Sequence, residues 1–251
     1  MRPKKESRKV VDAPVGGYFR WSRAPEVAML AVLPVWIAYE ALRLYLTPNE
    51  RNGAEALVLS ALRFLGPHGL DVLRVALGIT FLVSIVFTLR QRIPWLQVAF
   101  VVALEGVLYG LLLGPVSQAL TFFWLDRGVL LSWPWTASEL TGSLGAGIFE
   151  EALFRLGILS VLLLLAGRAT RSLGVSRTPG VALAVLISAL TFSGFHHFGA
   201  GAEPFDSLVF LFRAMAGLVL GALFLARGFA VVVYTHAVYD LYFYATQPAA
   251  N

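Results

Sequence analysis

An all-α bundle of membrane-spanning helices is the fold this sequence predicts, and three observations predict it. Of 251 residues, 58% are hydrophobic and 14% are charged, against about 45–50% and about 25% in a soluble domain. Mean hydropathy is +0.74. The apolar residues gather into segments of roughly 20, the length that crosses a bilayer, which leaves room for about six to eight spans. The lack of cysteine excludes disulfides, thiolate metal sites and a cysteine nucleophile.

Residues 1–24 are basic and contain no apolar run, so they form an expected cytoplasmic tail that orients the chain, with contact to anionic lipid as the alternative. The apolar run that follows, 27–46, is too long for a signal peptide and lacks a small-residue cleavage site, so it is a retained span. Further spans are expected at 70–89, 95–119, 137–166, 179–196, 208–226 and 229–244, about seven in all. Between the first two, 54–65 has the pattern of a short interfacial helix ended by Gly66 and Pro67. The chain thus divides into the tail 1–24, N-terminal transmembrane helices over 25–134, and a core over 135–246, all within one membrane domain.

Loop charges give the orientation. With the N-terminus inside, the cytoplasmic segments hold the basic tail, Arg90, Arg92, Arg168, Arg171, Arg177 and Arg227. The opposite side carries Arg51, Arg63 and Arg127 with Glu50, Glu55, Asp126, Glu203 and Asp206. The net charge of +5 is therefore topological, and no nucleic-acid partner is expected. The expected setting is an integral, multi-pass protein of a bacterial inner membrane, a source suggested by the Arg/Ala/Leu-rich composition. Gly106, Gly110 and Gly114 recur every four residues on the third span, as do Gly217 and Gly221 on the sixth. Such stripes let helices approach closely.

Function is signalled by ionisable residues where lipid penalises them. A carboxylate at a span centre costs roughly 2.5–3.5 kcal/mol on insertion scales. Yet the fourth span contains GAGIFEEALFRLGIL, with Glu150 and Glu151 adjacent and Arg155 following. Arg155 lies on the face of Glu151, so those two can pair. Glu150 is turned about 100° away in an α-helix, without that partner, and suits a general base or acid. The fifth span ends ALTFSGFHHFG, with His196 four residues after Phe192 and His197 behind it. The seventh contains VVVYTHAVYDLYFY, with Asp240 four residues after His236. The residues alone fit a proton-relay transporter as well as a hydrolase.

The set Glu150-Glu151-x-x-x-Arg155, Phe192-x-x-x-His196 and His236-x-x-x-Asp240, in this order, resembles the CPBP family. These are the CAAX-processing and bacteriocin-processing intramembrane endopeptidases, also called glutamic-type intramembrane proteases. The resemblance covers about 137–244 and departs at Asp240, where the family often has asparagine. It implies that Glu150, with His196, activates a water for attack on a peptide carbonyl, while Glu151 and Arg155 hold the helix and tune Glu150. His236 would stabilise the oxyanion, helped by Asp240 either as a neutral donor or as the anion that fixes and charges His236. Phe192 would pack against the site and limit water, and His197 would be a spare polar contact.

Zinc on Glu150, His196 and His236 is the alternative. No HExxH pairing supports it, and a site without cofactor is expected. The implied partner is a membrane-anchored or membrane-inserted protein or peptide. In a bacterium that means peptide precursors, or C-terminal membrane tails of sorted surface proteins as in the myxosortase branch. Among the remaining charges, Glu40 and Arg43 can pair locally. Glu105 and Arg213 are expected to pair across the bundle, with Arg213 as an alternative holder of a substrate carboxylate. The orientation is testable by labelling single cysteines in this cysteine-free chain. Thr170→Cys should react only from inside and Ser207→Cys from outside; the reverse pattern would invert the topology.

Overall fold

The computed structural model describes residues 17–45, 53–121, 136–198 and 202–246. Most of the basic tail, Glu50, Arg51, Asp126, Arg127 and the expected boundary at 134/135 lie outside these residues. Every element among the described residues is helical. They run α1 (Tyr18–Trp21), α2 (Pro25–Arg43), α3 (Gly53–Ala61), a 3-10 turn (Arg63–His68), α4 (Gly69–Arg90), α5 (Trp95–Thr121), α6 (Ala137–Gly145), two π-helical stretches (Ala146–Glu150 and Ala152–Leu159), α7 (Ser160–Leu173), α8 (Arg177–Phe195), α9 (Ser207–Arg227) and α10 (Phe229–Ala245).

Five of these, α2, α4, α5, α8 and α9, are long and apolar enough to cross a membrane. The segments expected as the fourth and seventh spans are helical, as the succession from α6 through the π-helical stretches to α7 and as α10, but neither is among those five. The expected interfacial helix is shorter than its pattern. It stops at Ala61, and the chain tightens into the 3-10 turn, where Gly66 takes a φ of +65° open to glycine. Its first turn is also drawn inward, with Ala54 and Glu55 buried against the π-helical stretch.

α10 is the axis of the bundle. It packs against α5, α9, α6, α2 and both π-helical stretches. Accordingly Val231, Val232 and Val233, three consecutive residues facing three directions, are all fully buried. The α5 glycines make this possible. A Cβ on Gly106 would collide with the Cβ of Tyr234, and one on Gly110 would lie 2.8 Å from the Thr235 carbonyl. On another side, a Cβ on Gly147 would lie 2.6 Å from the Val233 carbonyl. Gly217 and Gly221 serve α9 in the same way against Ala189 and Val185 of α8. The outward faces of α4, α5 and α7 expose Ile79, Leu82, Leu104, Leu108, Leu164 and Leu165, the surface a lipid-facing helix requires.

Two expected ion pairs are different in the structure. Glu40 bonds both Nε and Nη2 of Arg74 on α4, at 3.2 and 2.6 Å, so it ties α2 to α4 instead of pairing with Arg43. The two-pronged guanidinium contact is geometrically stronger than a one-point local pair. Glu105 and Arg213 do not meet. Glu105 holds the buried Arg227 (2.8 Å), whose guanidinium also lies 4.5 Å from the Phe19 ring. Arg227 is therefore a buried tie between α9, α5 and α1, where the sequence placed it among loop charges.

Close approach at Gly110 predicts that Gly110→Leu lowers membrane accumulation and the unfolding temperature, since overpacking costs about 1–3 kcal/mol or more. Gly142→Leu on α6, where an added Cβ meets nothing within 4 Å, is the matched control and should be tolerated. Equal accumulation of the two variants would contradict the packing.

Candidate active site

The site begins with a change of helical pitch. Thr136 and Glu139 cap α6 reciprocally, the Thr136 N–H bonding Glu139 Oε2 (2.8 Å) and the Glu139 N–H bonding Thr136 Oγ1 (3.2 Å). After Gly145 the turns widen to π-helix over Ala146–Glu150 and again over Ala152–Leu159, on either side of Glu151 and including Arg155. Such widening inserts residues into a helix and is common at functional sites. Ser160 Oγ donates to the Arg155 carbonyl (3.1 Å) where α-helix resumes. Glu150, Glu151 and Arg155 are 5%, 0% and 1% exposed. Neither glutamate faces lipid, because α10, α2, α3, α8 and α9 enclose this segment.

Glu151 is the centre of a buried ionic cluster. Its Oε1 accepts from Arg155 Nη1 (2.8 Å) and lies 2.6 Å from His236 Nδ1. An oxygen that already accepts from a guanidinium requires the second nitrogen to donate, so Nδ1 of His236 carries a hydrogen. Arg155 also donates weakly to the Gly217 carbonyl (3.4 Å) and sits 4.3 Å from the Phe192 ring centre.

The two histidines are fixed from behind in the same way. His196 caps the C-terminus of α8, and its Nδ1 lies 3.0 Å from the Phe192 carbonyl, which can only accept. Both rings thus donate through Nδ1 and turn Nε2 towards Glu150. Glu150 Oε2 lies 3.6 Å from His196 Nε2 and 3.9 Å from His236 Nε2. Asp240 Oδ2 is 3.7 Å from His236 Nε2. Phe192 meets both imidazoles edge-on, with centroids 5.2 Å from His196 and 5.8 Å from His236, and also meets Phe154 at 5.3 Å. All three motifs therefore converge, with an aromatic wall between the histidines and the Arg155 side.

His197 points elsewhere. Its Nδ1 bonds the Glu203 carbonyl (3.3 Å) and its ring packs on Phe205 at 5.2 Å. The Glu203 N–H donates to the His196 carbonyl (3.1 Å), and its carboxylate pairs with Arg213 (2.7 Å). The guanidinium holds the Glu203 carboxyl below its ordinary range. The connection into α9 is thus strapped to the end of the histidine helix. Sequence reasoning missed this strap. It also missed Ser188, which donates to the Phe154 carbonyl (3.0 Å), and Ser193, which donates to the Phe210 carbonyl (2.6 Å). Their signal was small polar residues in an apolar helix, one of them three residues before His196.

Chemically, a buried carboxylate faces two imidazoles whose far nitrogens are already bonded. That set can take up a proton and can donate hydrogen bonds to a developing anion. Glu150, His196 and His236, the residues of the zinc alternative, do come together. Among the described residues, however, no group of three or more His, Asp or Glu side chains is arranged to hold a metal ion.

Residues 132–242 match the family model of Rce1-like type II CAAX prenyl endopeptidases. No curated protein and no solved structure matches the chain. The matched segment spans the two glutamates, Arg155, both motif histidines and Asp240, and is consistent with the CPBP resemblance. Residues 132–242 are therefore Rce1-like, the domain of a peptide hydrolase, within a chain that has five helices long and apolar enough to cross a membrane.

Proposed function

We propose that the chain cleaves a peptide bond of a membrane-anchored or membrane-inserted precursor by a water molecule that Glu150 activates, without a metal. The observation that supports this most is the approach of both Nε2 atoms to one oxygen of Glu150, at 3.6 and 3.9 Å. These separations are too long for direct hydrogen bonds and suit groups that share a water. Glu150 removes a proton from the water, which His196 Nε2 orients by accepting its other hydrogen. The resulting hydroxide adds to the scissile carbonyl. His236, with hydrogens on both ring nitrogens, donates from Nε2 to the oxyanion. When the C–N bond breaks, Glu150 returns its proton to the leaving amine.

The structure bears on the two roles the sequence left open for Asp240. Orienting His236 requires a partner at Nδ1, and Glu151 holds that place at 2.6 Å. Asp240 stands on the Nε2 side, where a neutral carboxyl or an amide can join His236 in donating to the oxyanion. The expected setting is a bacterial inner membrane with the N-terminus in the cytoplasm. His196, at the far end of α8 from Arg177, then lies towards the outer surface, which suits precursors trimmed after translocation.

Three variants test the roles, with turnover of a membrane-anchored precursor in proteoliposomes as the readout. Glu150→Gln should abolish cleavage and leave membrane levels unchanged; cleavage at the parental rate would remove Glu150 as the base. Glu151→Gln should lower both activity and accumulation, because breaking a buried pair costs about 3–5 kcal/mol. Normal accumulation of that variant would contradict the buried cluster. Asp240→Asn should remain substantially active across pH, while Asp240→Ala loses roughly 10²-fold, the scale of an oxyanion contact. Strong chelators should have no effect on the parent. A dead Asp240→Asn enzyme, or chelator inhibition reversed by zinc, would overturn the metal-free scheme.

A further inference from the structure

On the opposite side of the bundle from His196, α7 turns into α8 through Gly174, which takes a φ of +65°. Gly180 lets the two helices meet closely, since a Cβ there would lie 3.1 Å from Ala166 and 3.2 Å from Thr170. This approach brings Arg177, the first residue of α8, over Gly167 of α7; a Cβ on Gly167 would lie 3.7 Å from its Nη2. With Arg168 and Arg171 from the last turns of α7, Arg177 lines a cavity of about 180 Å³ whose remaining wall is Leu163, Leu164 and Gly167.

Three guanidinium groups around one cavity repel each other unless an anion lies among them. No carboxylate is among the residues that line the cavity. No Asp or Glu occurs between Glu151 and Glu203. Among the described residues, none of the three arginines forms an ion pair or a side-chain hydrogen bond. Arg177 also begins a helix, where the positive end of the backbone dipole adds to the repulsion. Balancing an orientation signal would not require a cavity, since basic residues spread along loops serve that purpose equally well. The cavity is also half apolar. α7 has no buried residue along its length, and Leu164 is 64% exposed beside the arginines. A free anion has no use for the leucine wall, whereas an amphiphile fits both parts.

We infer that the α7–α8 turn is a binding site for the phosphate headgroup of an anionic glycerophospholipid, held by Arg168, Arg171 and Arg177, with its acyl chains lying along Leu163 and Leu164. Basic clefts between helices at the cytoplasmic face suit such headgroups, and guanidinium matches phosphate oxygens two at a time. The site is separate from the catalytic residues and does not depend on their roles.

Native mass spectrometry of the full-length protein in mild detergent tests this, with phosphatidylglycerol, phosphatidylcholine and inorganic phosphate as probes. Phosphatidylglycerol should be retained on the folded protein in preference to phosphatidylcholine, and millimolar inorganic phosphate should not displace it. Arg168→Gln, Arg171→Gln and Arg177→Gln should each weaken retention roughly fivefold, the equivalent of about 1 kcal/mol per basic residue near a lipid surface. Gly167→Leu fills the cavity and keeps every charge, and so should weaken retention without altering topology. Equal retention of the two lipids, or displacement by inorganic phosphate, would overturn the lipid assignment. Full retention by Gly167→Leu alongside loss in the Gln variants would show diffuse attraction to a basic surface, and would also overturn it.

Discussion

The site depends on one buried contact, the Glu151 carboxylate held between Arg155 and His236. In a bundle with an apolar exterior, a charge without partners is untenable, and removal of one partner from a buried pair costs about 3–5 kcal/mol. Oε1 of Glu151 takes a hydrogen bond from its own helix, through Arg155 at 2.8 Å, and one from α10, through His236 at 2.6 Å. The contact therefore joins the helix of the two glutamates to the axial helix. It also fixes which face of the His236 ring looks at Glu150. The adjacent glutamates have different work because one is consumed in structure and the other faces the imidazoles.

Everything else about the site serves that geometry. The π-helical stretch lets successive residues of one helix point into a common enclosed space. Gly147 brings α10 near enough for His236 to reach Glu151, and Gly106 and Gly110 bring it against α5 from another side. Phe192 gives the imidazoles an edge-on partner and takes the Arg155 guanidinium on its ring, so one side chain spans the ionic cluster and the corner where Glu150 faces the imidazoles. The Glu203 strap, bonded to the His196 carbonyl and to Arg213, closes the end of α8. The proposed cleavage needs water admitted to one place and excluded elsewhere, and an aromatic wall beside a buried carboxylate fits that need.

Much of this was legible in the sequence. The helical class followed from composition, the close helix approaches from the glycine stripes, and the convergence of Glu150, His196 and His236 from acids and imidazoles in apolar helices. Less legible were facts that depend on three-dimensional neighbours. That Glu40 prefers Arg74 to Arg43, and that Glu105 takes Arg227, follows from which helices are adjacent, which residue spacing within one helix does not encode. The π-helix hid because period-3.6 reasoning treats Glu150 as turned away from Glu151 by a fixed angle, whereas the widened turn and a fully enclosed segment bury both. The link from Glu151 to His236 joins residues 85 apart, and local pairing with Arg155 had already accounted for Glu151. The strap at Glu203 was obscure because its tie to His196 runs through the backbone.

The central claim is that Glu151 fixes the ring of His236 through Nδ1 and so presents Nε2 to Glu150. Nitrogen-15 spectra of the full-length protein with labelled histidine, in lipid nanodiscs and assigned with His236→Gln, measure this directly. The account predicts a hydrogen on Nδ1 of His236, in a strong bond to a carboxylate that disappears in Glu151→Gln. A His236 ring with a bare Nδ1 and its hydrogen on Nε2 alone, or a spectrum unchanged by Glu151→Gln, would contradict it.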